Sequence, residues 1–167
     1  DDLRAKTAYF KEKRIQYSLE FIEEELPLGT GGSLYYLKDK INETFFVSNC
    51  DILVDASYVD ILKFHKENQN KITMVTSLKN RVIPYGVIKL NNKGFIEKII
   101  EKPEEDFLVN TGMYVLESEC LDDIPEKVFF HMTDLIQIYL DKGERIGTYP
   151  ISENAWMDMG QLDEMES

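Results

Sequence analysis

The spacing of apolar positions changes several times along the chain, and each change marks an element. Residues 2 to 14 carry Leu3, Thr7 and Phe10 at helical spacing, after which Ile15, Tyr17, Leu19 and Phe21 alternate strictly, as in a half-buried strand. Pro27 and Gly29 punctuate a loop, and Thr30 is placed to cap a helix with apolar positions at Leu34, Leu37 and Ile41. The run Thr44-Phe45-Phe46-Val47-Ser48 is short, apolar and β-prone, the pattern of a strand covered on both faces in a mainly parallel sheet. Ser57 followed by Asp60 has the form of a capping box for a helix to about Glu67, with Val59, Leu62 and His65 or Lys66 setting its pitch. A further strand is expected from Ile72 to Leu78.

The second half changes character. Tyr85 to Leu90 and Phe95 to Ile100 are β-like runs joined by Asn91-Asn92-Lys93-Gly94, a hairpin signal, and Leu108 to Leu116 is a third such run. Thr133 or Asp134 then starts a helix carrying Leu135, Ile136, Tyr139 and Leu140, before a strand near Arg145 to Ile151. Alternation of strand and helix predicts an α/β fold, and no repeat or low-complexity linker divides residues 1–167, so a single domain is expected. The chain opens inside a helical pattern and stops where another begins, which reads as a piece of something longer.

Composition narrows the function. With 43% apolar and 30% charged residues the chain has the make-up of a soluble globular protein, and no apolar run is long enough to cross a bilayer. No secretory signal pattern is visible, so the expectation is a cytoplasmic protein without a membrane partner. A net charge of −12 disfavours nucleic acid as a partner, because affinity for a phosphate backbone comes largely from Lys and Arg displacing counterions. Phosphorylated small molecules remain accessible where a metal ion and local lysines offset the repulsion. Cys50 and Cys120 are far apart and outside any ligand spacing, so both are read as reduced, buried small residues.

Candidate chemistry lies at strand ends, because ligands of open α/β sheets collect beyond the carboxyl ends of the strands. Asp51 follows the strand at 44–48, where a carboxylate either holds Mg²⁺ or caps a turn. Leu28-Gly29-Thr30-Gly31-Gly32 is a glycine-rich lead-in to a helix, suited to a base or phosphate, or simply a tight turn. Glu101-Lys102-Pro103 sets a carboxylate beside an ammonium, able to serve a sugar hydroxyl and a phosphate or to form an exposed ion pair. Asn110-Thr111-Gly112 puts polar groups and a glycine inside an apolar strand, which marks close approach of a ligand or of backbone. Trp156-Met157-Asp158-Met159-Gly160 offers a second carboxylate.

Each motif is weak alone, but their order and spacing together resemble the sugar-phosphate nucleotidyltransferases, the NDP-sugar pyrophosphorylases that include glucose-1-phosphate thymidylyltransferases and mannose-1-phosphate guanylyltransferases. The resemblance covers nearly the whole chain and implies a Rossmann-like mixed, mostly parallel sheet flanked by helices. It implies transfer of a nucleotidyl group from an NTP to a sugar 1-phosphate, giving an NDP-sugar and pyrophosphate. Leu28, Gly29 and Thr30 would meet the base, and Asp51 and Asp158 would share Mg²⁺. Gly86, Glu101, Asn110 and Thr111 would surround the sugar, and Lys102 would contact its phosphate. The stretches Ile83-Pro84-Tyr85-Gly86-Val87 and Trp156 to Gln161 lean towards guanylyl transfer to a hexose or amino-sugar phosphate.

Two departures qualify the resemblance. Gly31 stands where relatives usually carry Ala. The family's first strand, with its Gly-rich Arg loop and later Pro-Lys pair, has no counterpart in this sequence, so the chain on its own is expected to be an inefficient catalyst with a sheet lacking one strand. Homo-oligomerisation is left open. The alternatives are a non-catalytic regulatory or assembly domain of the same fold and a nucleotide-sugar-dependent glycosyltransferase. Paired Asp51 and Asp158 argue against the first, and the lack of an Asp-x-Asp motif at Asn49-Cys50-Asp51 argues against the second.

Overall fold

A computed structural model describes residues 18–160. Its centre is a four-stranded sheet made of β1 (Phe45–Ser48), β3 (Ile72–Val82), β6 (Glu104–Leu116) and β7 (Ile146–Ile151), in the order β1-β6-β3-β7. β6 runs antiparallel to both β1 and β3, while β7 runs parallel to β3. Three of the four strands therefore point the same way, and β6 alone is reversed between them. Two small antiparallel pairs flank the sheet: β2 (Ile52–Val54) with β8 (Trp156–Asp158), and β4 (Val87–Leu90) with β5 (Ile96–Ile100).

Strand alternation divides the core between the two faces of the sheet. Tyr114 and Leu116 of β6 and Ile72 of β3 pack with Met132, Leu135, Ile136 and Tyr139 of α2 (Met132–Asp141). Met113 and Val115 turn to the opposite face, where Val75 and Ile151 meet Ile61 of α1 (Tyr58–Glu67). Buried residues therefore line both sides of β3 and β6, and the helices on each face give the α/β layering that the sequence pattern predicts. No helix among the described residues is long and apolar enough to cross a membrane.

The helix ends explain themselves. Ser57 Oγ accepts the N–H of Asp60, the expected cap of α1. The buried side of that helix is set by Ile61 and His65, however, while Val59 is 76% exposed. Thr30 does not cap the turn that follows it, a 3-10 helix over Gly32–Leu37. Its hydroxyl instead accepts the N–H of Met132 at the start of α2. A short glycine-rich turn leaves no room for a local cap, and the hydroxyl satisfies an orphan donor on a neighbouring helix.

Other expectations shift as well. The alternation through Leu19 and Phe21 forms no strand over the described residues; both side chains are exposed, and Ile15 and Tyr17, like the helix expected over 2–14, lie outside the described part. Alternation yields a strand only where a partner strand takes its hydrogen bonds. β1 is packed on both faces, Phe45 and Val47 against one core and Phe46 against the other, but its residues stay only half-buried because, among the described strands, only β6 pairs with it and its other edge is open. Cys50 is exposed in the turn after β1, whereas Cys120 is buried, and burial pushes its thiol up to about 11.

Polar groups at the amino ends of β1, β3 and β7 form a closed network. Asn70 donates to the hydroxyl of Thr73 at 2.9 Å, and that hydroxyl lies 2.8 Å from Nδ1 of His65. His65 Nε2 lies 3.1 Å from Glu117, which also accepts from Lys66 and Thr44. Glu117 can only accept, so Nε2 carries the proton and Nδ1 accepts from Thr73.

Candidate functional site

At the carboxyl ends of the like-directed strands lies a cavity of about 680 Å³. Its walls include Asp51, Asp158, Asn110, Thr30, His131 and Lys79. The cavity lies at the end of the sheet where open α/β folds are expected to take ligands.

Backbone pairing brings the two acidic residues together across more than a hundred positions of sequence. Ile52 opens β2 opposite Asp158 of β8, and Met159 N–H donates to the carbonyl of Asp51 at 2.8 Å. Asp51 Oδ2 and Asp158 Oδ1 both lie within 3.4 Å of the point that a Cβ on Gly160 would occupy. Asp158 Oδ1 also accepts the Gly160 N–H at 3.0 Å, which fixes its orientation. Two oxygen-only ligands facing one space leave positions for waters and substrate oxygens, a donor set that fits a hard divalent cation such as Mg²⁺. No group of three or more His, Cys, Asp or Glu side chains suited to a metal occurs among the described residues.

The Asn110-Thr111-Gly112 segment proves to be a bulge. Opposite it, Val75 pairs with Met113 and Thr76 with Asn110, so Thr111 and Gly112 are extra residues on β6. Such bulges re-aim side chains at the edge of a site. Each residue compensates for the broken ladder: Thr111 Oγ donates to the Val75 carbonyl at 2.8 Å, and Asn110 Oδ1 accepts the Gly112 N–H at 3.0 Å. Gly112 has φ of +85°, and a Cβ there would lie 2.7 Å from Asn49 Nδ2, so only glycine lets Asn49 pack against the strand. Asn110 Nδ2 donates to the hydroxyl of Tyr114, whose pKa burial pushes up against the opposing effect of that contact. Asn110 remains exposed and lines the cavity, while Thr111 is only 2% exposed and its hydroxyl is already committed to backbone.

The glycine-rich loop has its own structural duty. Gly31 and Gly32 both donate to the carbonyl of Phe130 at 3.0 Å, and a Cβ on Gly29, at φ +79°, would come within 2.7 Å of that oxygen. The loop thus seats against residues 128–132. Leu28 is buried there, and of the candidate base-contacting residues Thr30 alone lines the cavity, 3.3 Å from Nδ1 of His131.

Gly86, Glu101 and Lys102 lie on the β4–β5 hairpin side, outside the cavity walls. β5 stops at Ile100, so Glu101 and Lys102 occupy the following turn, and Lys102 has φ of +43°. The alternation of a strand therefore does not force the two side chains to opposite faces. Glu101 Oε2 lies 3.1 Å from the point a Cβ on Gly86 would take, so these two candidates do adjoin.

Sequence reasoning missed Lys79, His131 and Tyr114. Lys79 follows the buried part of β3, and the rule that singled out Asp51 after β1 could have found it. His131 carries no local signal, because its contact with Thr30 spans 101 residues.

A family model described as nucleotidyl transferase matches residues 3–167. Among curated proteins, the chain is 32% identical over 162 residues to the mannose-1-phosphate guanylyltransferase catalytic subunit beta of Dictyostelium discoideum, a match covering 90% of this chain and 43% of that protein. It is 31% identical over 158 residues to the mannose-1-phosphate guanyltransferase of Saccharomyces cerevisiae, again covering 90% of this chain and 43% of that protein. The chain thus spans less than half the length of these relatives. Among solved structures, HddC from Yersinia pseudotuberculosis superposes with a TM-score of 0.65 at 18% identity, covering 98% of this chain and 71% of that one; at that identity the likeness speaks to the fold alone.

Proposed function

This chain belongs to the nucleotidyl transferase family, and from that premise we propose that the intact protein transfers a nucleotidyl group from an NTP to a sugar 1-phosphate, with residues 1–167 forming part of the catalytic domain. An oxygen of the sugar phosphate attacks the α-phosphorus in line, an O–P bond forms, and the bond to the β-phosphate breaks to release pyrophosphate. The names of the relatives favour guanylyl transfer to a hexose 1-phosphate, mannose 1-phosphate first among them.

The observation that carries this reading is the convergence of Asp51 and Asp158 on one space within the cavity. These two carboxylates would hold Mg²⁺, which supplies neutralisation of phosphate charge when bound. The chain's remaining work is positioning: Thr30 on the wall proposed for the base, Asn110 on the wall proposed for the sugar, and Glu101 and Lys102 approaching from the hairpin. Positioning and charge stabilisation suffice for such a transfer, because little covalent help is required.

Pyrophosphate release by the intact protein, assayed with GTP and mannose 1-phosphate, tests the proposal. Release should require both substrates and Mg²⁺ and should stop with EDTA. Absence of release across all common NTPs and a panel of sugar 1-phosphates would overturn it, and EDTA-resistant release would overturn the metal role.

A further inference from the structure

We infer that Lys79 is the side chain that meets a phosphate group of the bound substrate inside the cavity, exchanging its present partner Glu153 for that phosphate; the inference rests on the nucleotidyltransferase reading. Charge requires such a group. The cavity walls carry two carboxylates, Asp51 and Asp158, and among the described residues Lys79 is their one Lys or Arg. The chain as a whole carries −12, so no general positive field draws a phosphate in. Even with a divalent cation on the carboxylates, a sugar phosphate or the leaving pyrophosphate brings two or more negative charges, and Lys79 is the cation the cavity itself provides.

Its geometry suits exchange. Lys79 Nζ donates to Glu153 Oε1 at 2.6 Å, but the Glu153 side chain is 55% exposed, and an ion pair of that exposure contributes little to stability. Breaking it costs little, and Glu153 is left in water. Nζ also sits 5.4 Å from the centroid of the Trp156 ring, two residues before Asp158. The indole face holds the ammonium on the wall of the cavity that Asp51 and Asp158 also line, whether or not Glu153 is engaged. Lys102 differs in lying outside the cavity walls. Because Lys79 is placed by a central strand and Lys102 by a turn, the two serve different contacts, and loss of one is not made good by the other.

Trp156 is the sole tryptophan of the 167 residues and gives a readout independent of turnover. Drawing the ammonium away from its ring should change its emission. Titrating the intact protein with mannose 1-phosphate, and separately with inorganic pyrophosphate, is expected to shift the Trp156 emission, taken as the difference from Trp156→Phe, in the wild type but not in Lys79→Met, with uncharged mannose silent in both. In the intact protein, Lys79→Met should raise the KM for the phosphate-bearing substrate it contacts roughly 10- to 100-fold, as expected for losing a hydrogen bond to a charged group. Varying sugar 1-phosphate and NTP in turn identifies which substrate that is. Lys79→Arg should restore most of the loss, and Glu153→Gln should lower the same KM. Wild-type fluorescence response and kinetics in Lys79→Met would overturn the inference while leaving the reaction intact. An intact wild-type protein that releases no pyrophosphate would overturn the reaction instead, and the fluorescence titrations would still decide whether Lys79 binds phosphate.

Discussion

The two ends of the central sheet are built from the same kinds of residue and treat them in opposite ways. At the amino ends of β1, β3 and β7, a histidine, a glutamate, a lysine, two threonines and an asparagine are tied to one another. Burial by itself would raise the Glu117 carboxyl, yet hydrogen bonds from Lys66, Thr44 and His65 outweigh it and hold the group below its ordinary range. At the carboxyl ends, Asp51, Asp158, Lys79 and Asn110 face a cavity of about 680 Å³. Polar residues at a strand end do not by themselves announce a site. What separates the ends is saturation: one spends its acceptors on its own donors, while the other leaves carboxylate oxygens turned towards open space.

If that contrast is right, substitutions at the two ends should separate activity from stability. The largest effect is expected from Asp51→Asn and Asp158→Asn in the intact protein. Each should lower turnover by roughly 100- to 1,000-fold, the scale seen when one preorganised electrostatic partner is removed from a transition state. Stability should stay within about 0.5 kcal/mol, as for surface changes that break no buried network. Steady-state kinetics beside chemical denaturation checks both halves. A variant that loses stability and keeps its turnover would place the carboxylates in a structural role.

The closed end gives the reverse prediction. Gly147 on β7 lies against Asn70, and a Cβ there would fall 2.0 Å from Asn70 Nδ2. Gly147→Ala must displace the amide that donates to Thr73 and so disturb the chain of contacts through His65 to Glu117. Overpacking of this kind typically costs about 1–3 kcal/mol, which denaturation should report. Turnover per folded molecule should be unchanged, because the cavity lies at the other end of the sheet. Equal loss of activity in the folded fraction would mean that the two ends are coupled.

The same contrast explains which parts were legible in the sequence. Ser57 before α1 and Asn91 to Gly94 between β4 and β5 were readable because a cap and a tight turn are decided by neighbours in the chain. Asp51 stood out through its place after an apolar strand. The bulge at Thr111 and Gly112 was visible only as polar residues in an apolar run, since its cause, the missing partners on β3, belongs to another strand. His65 read as a helix-pitch residue and proved to be the centre of a buried network, because Thr73 reaches it from β3 and Glu117 from just beyond the end of β6, two elements that periodicity cannot pair. Lys79 drew no reading from the sequence, because the indole that sits against its ammonium belongs to a distant strand, β8.

The smallest expected effect is the dependence of the closed end on pH. Burial pushes the His65 imidazole below its usual 6.5, against the opposing pull of Glu117, because a protonated ring would have to sit without water beside Lys66. A neutral ring also suits the hydrogen bonds: protonation of Nδ1 would remove the acceptor that Thr73 donates to, while Nε2–H still reaches Glu117. The folded state therefore takes up the proton at lower pH than the unfolded chain does. This contribution to stability is complete above about 6.5 and is lost as pH falls through the depressed folded value. Glu117 adds a loss of the same sign, but only below its ordinary 4.5, where the unfolded carboxyl protonates first. Denaturation curves between pH 7.5 and 5 should show stability falling with acidification in the wild type and a flatter profile in His65→Gln, even though that variant starts from a lower stability. A His65→Gln profile as steep as the wild type would assign the acid sensitivity to other groups and remove His65 as the titrating member of the network.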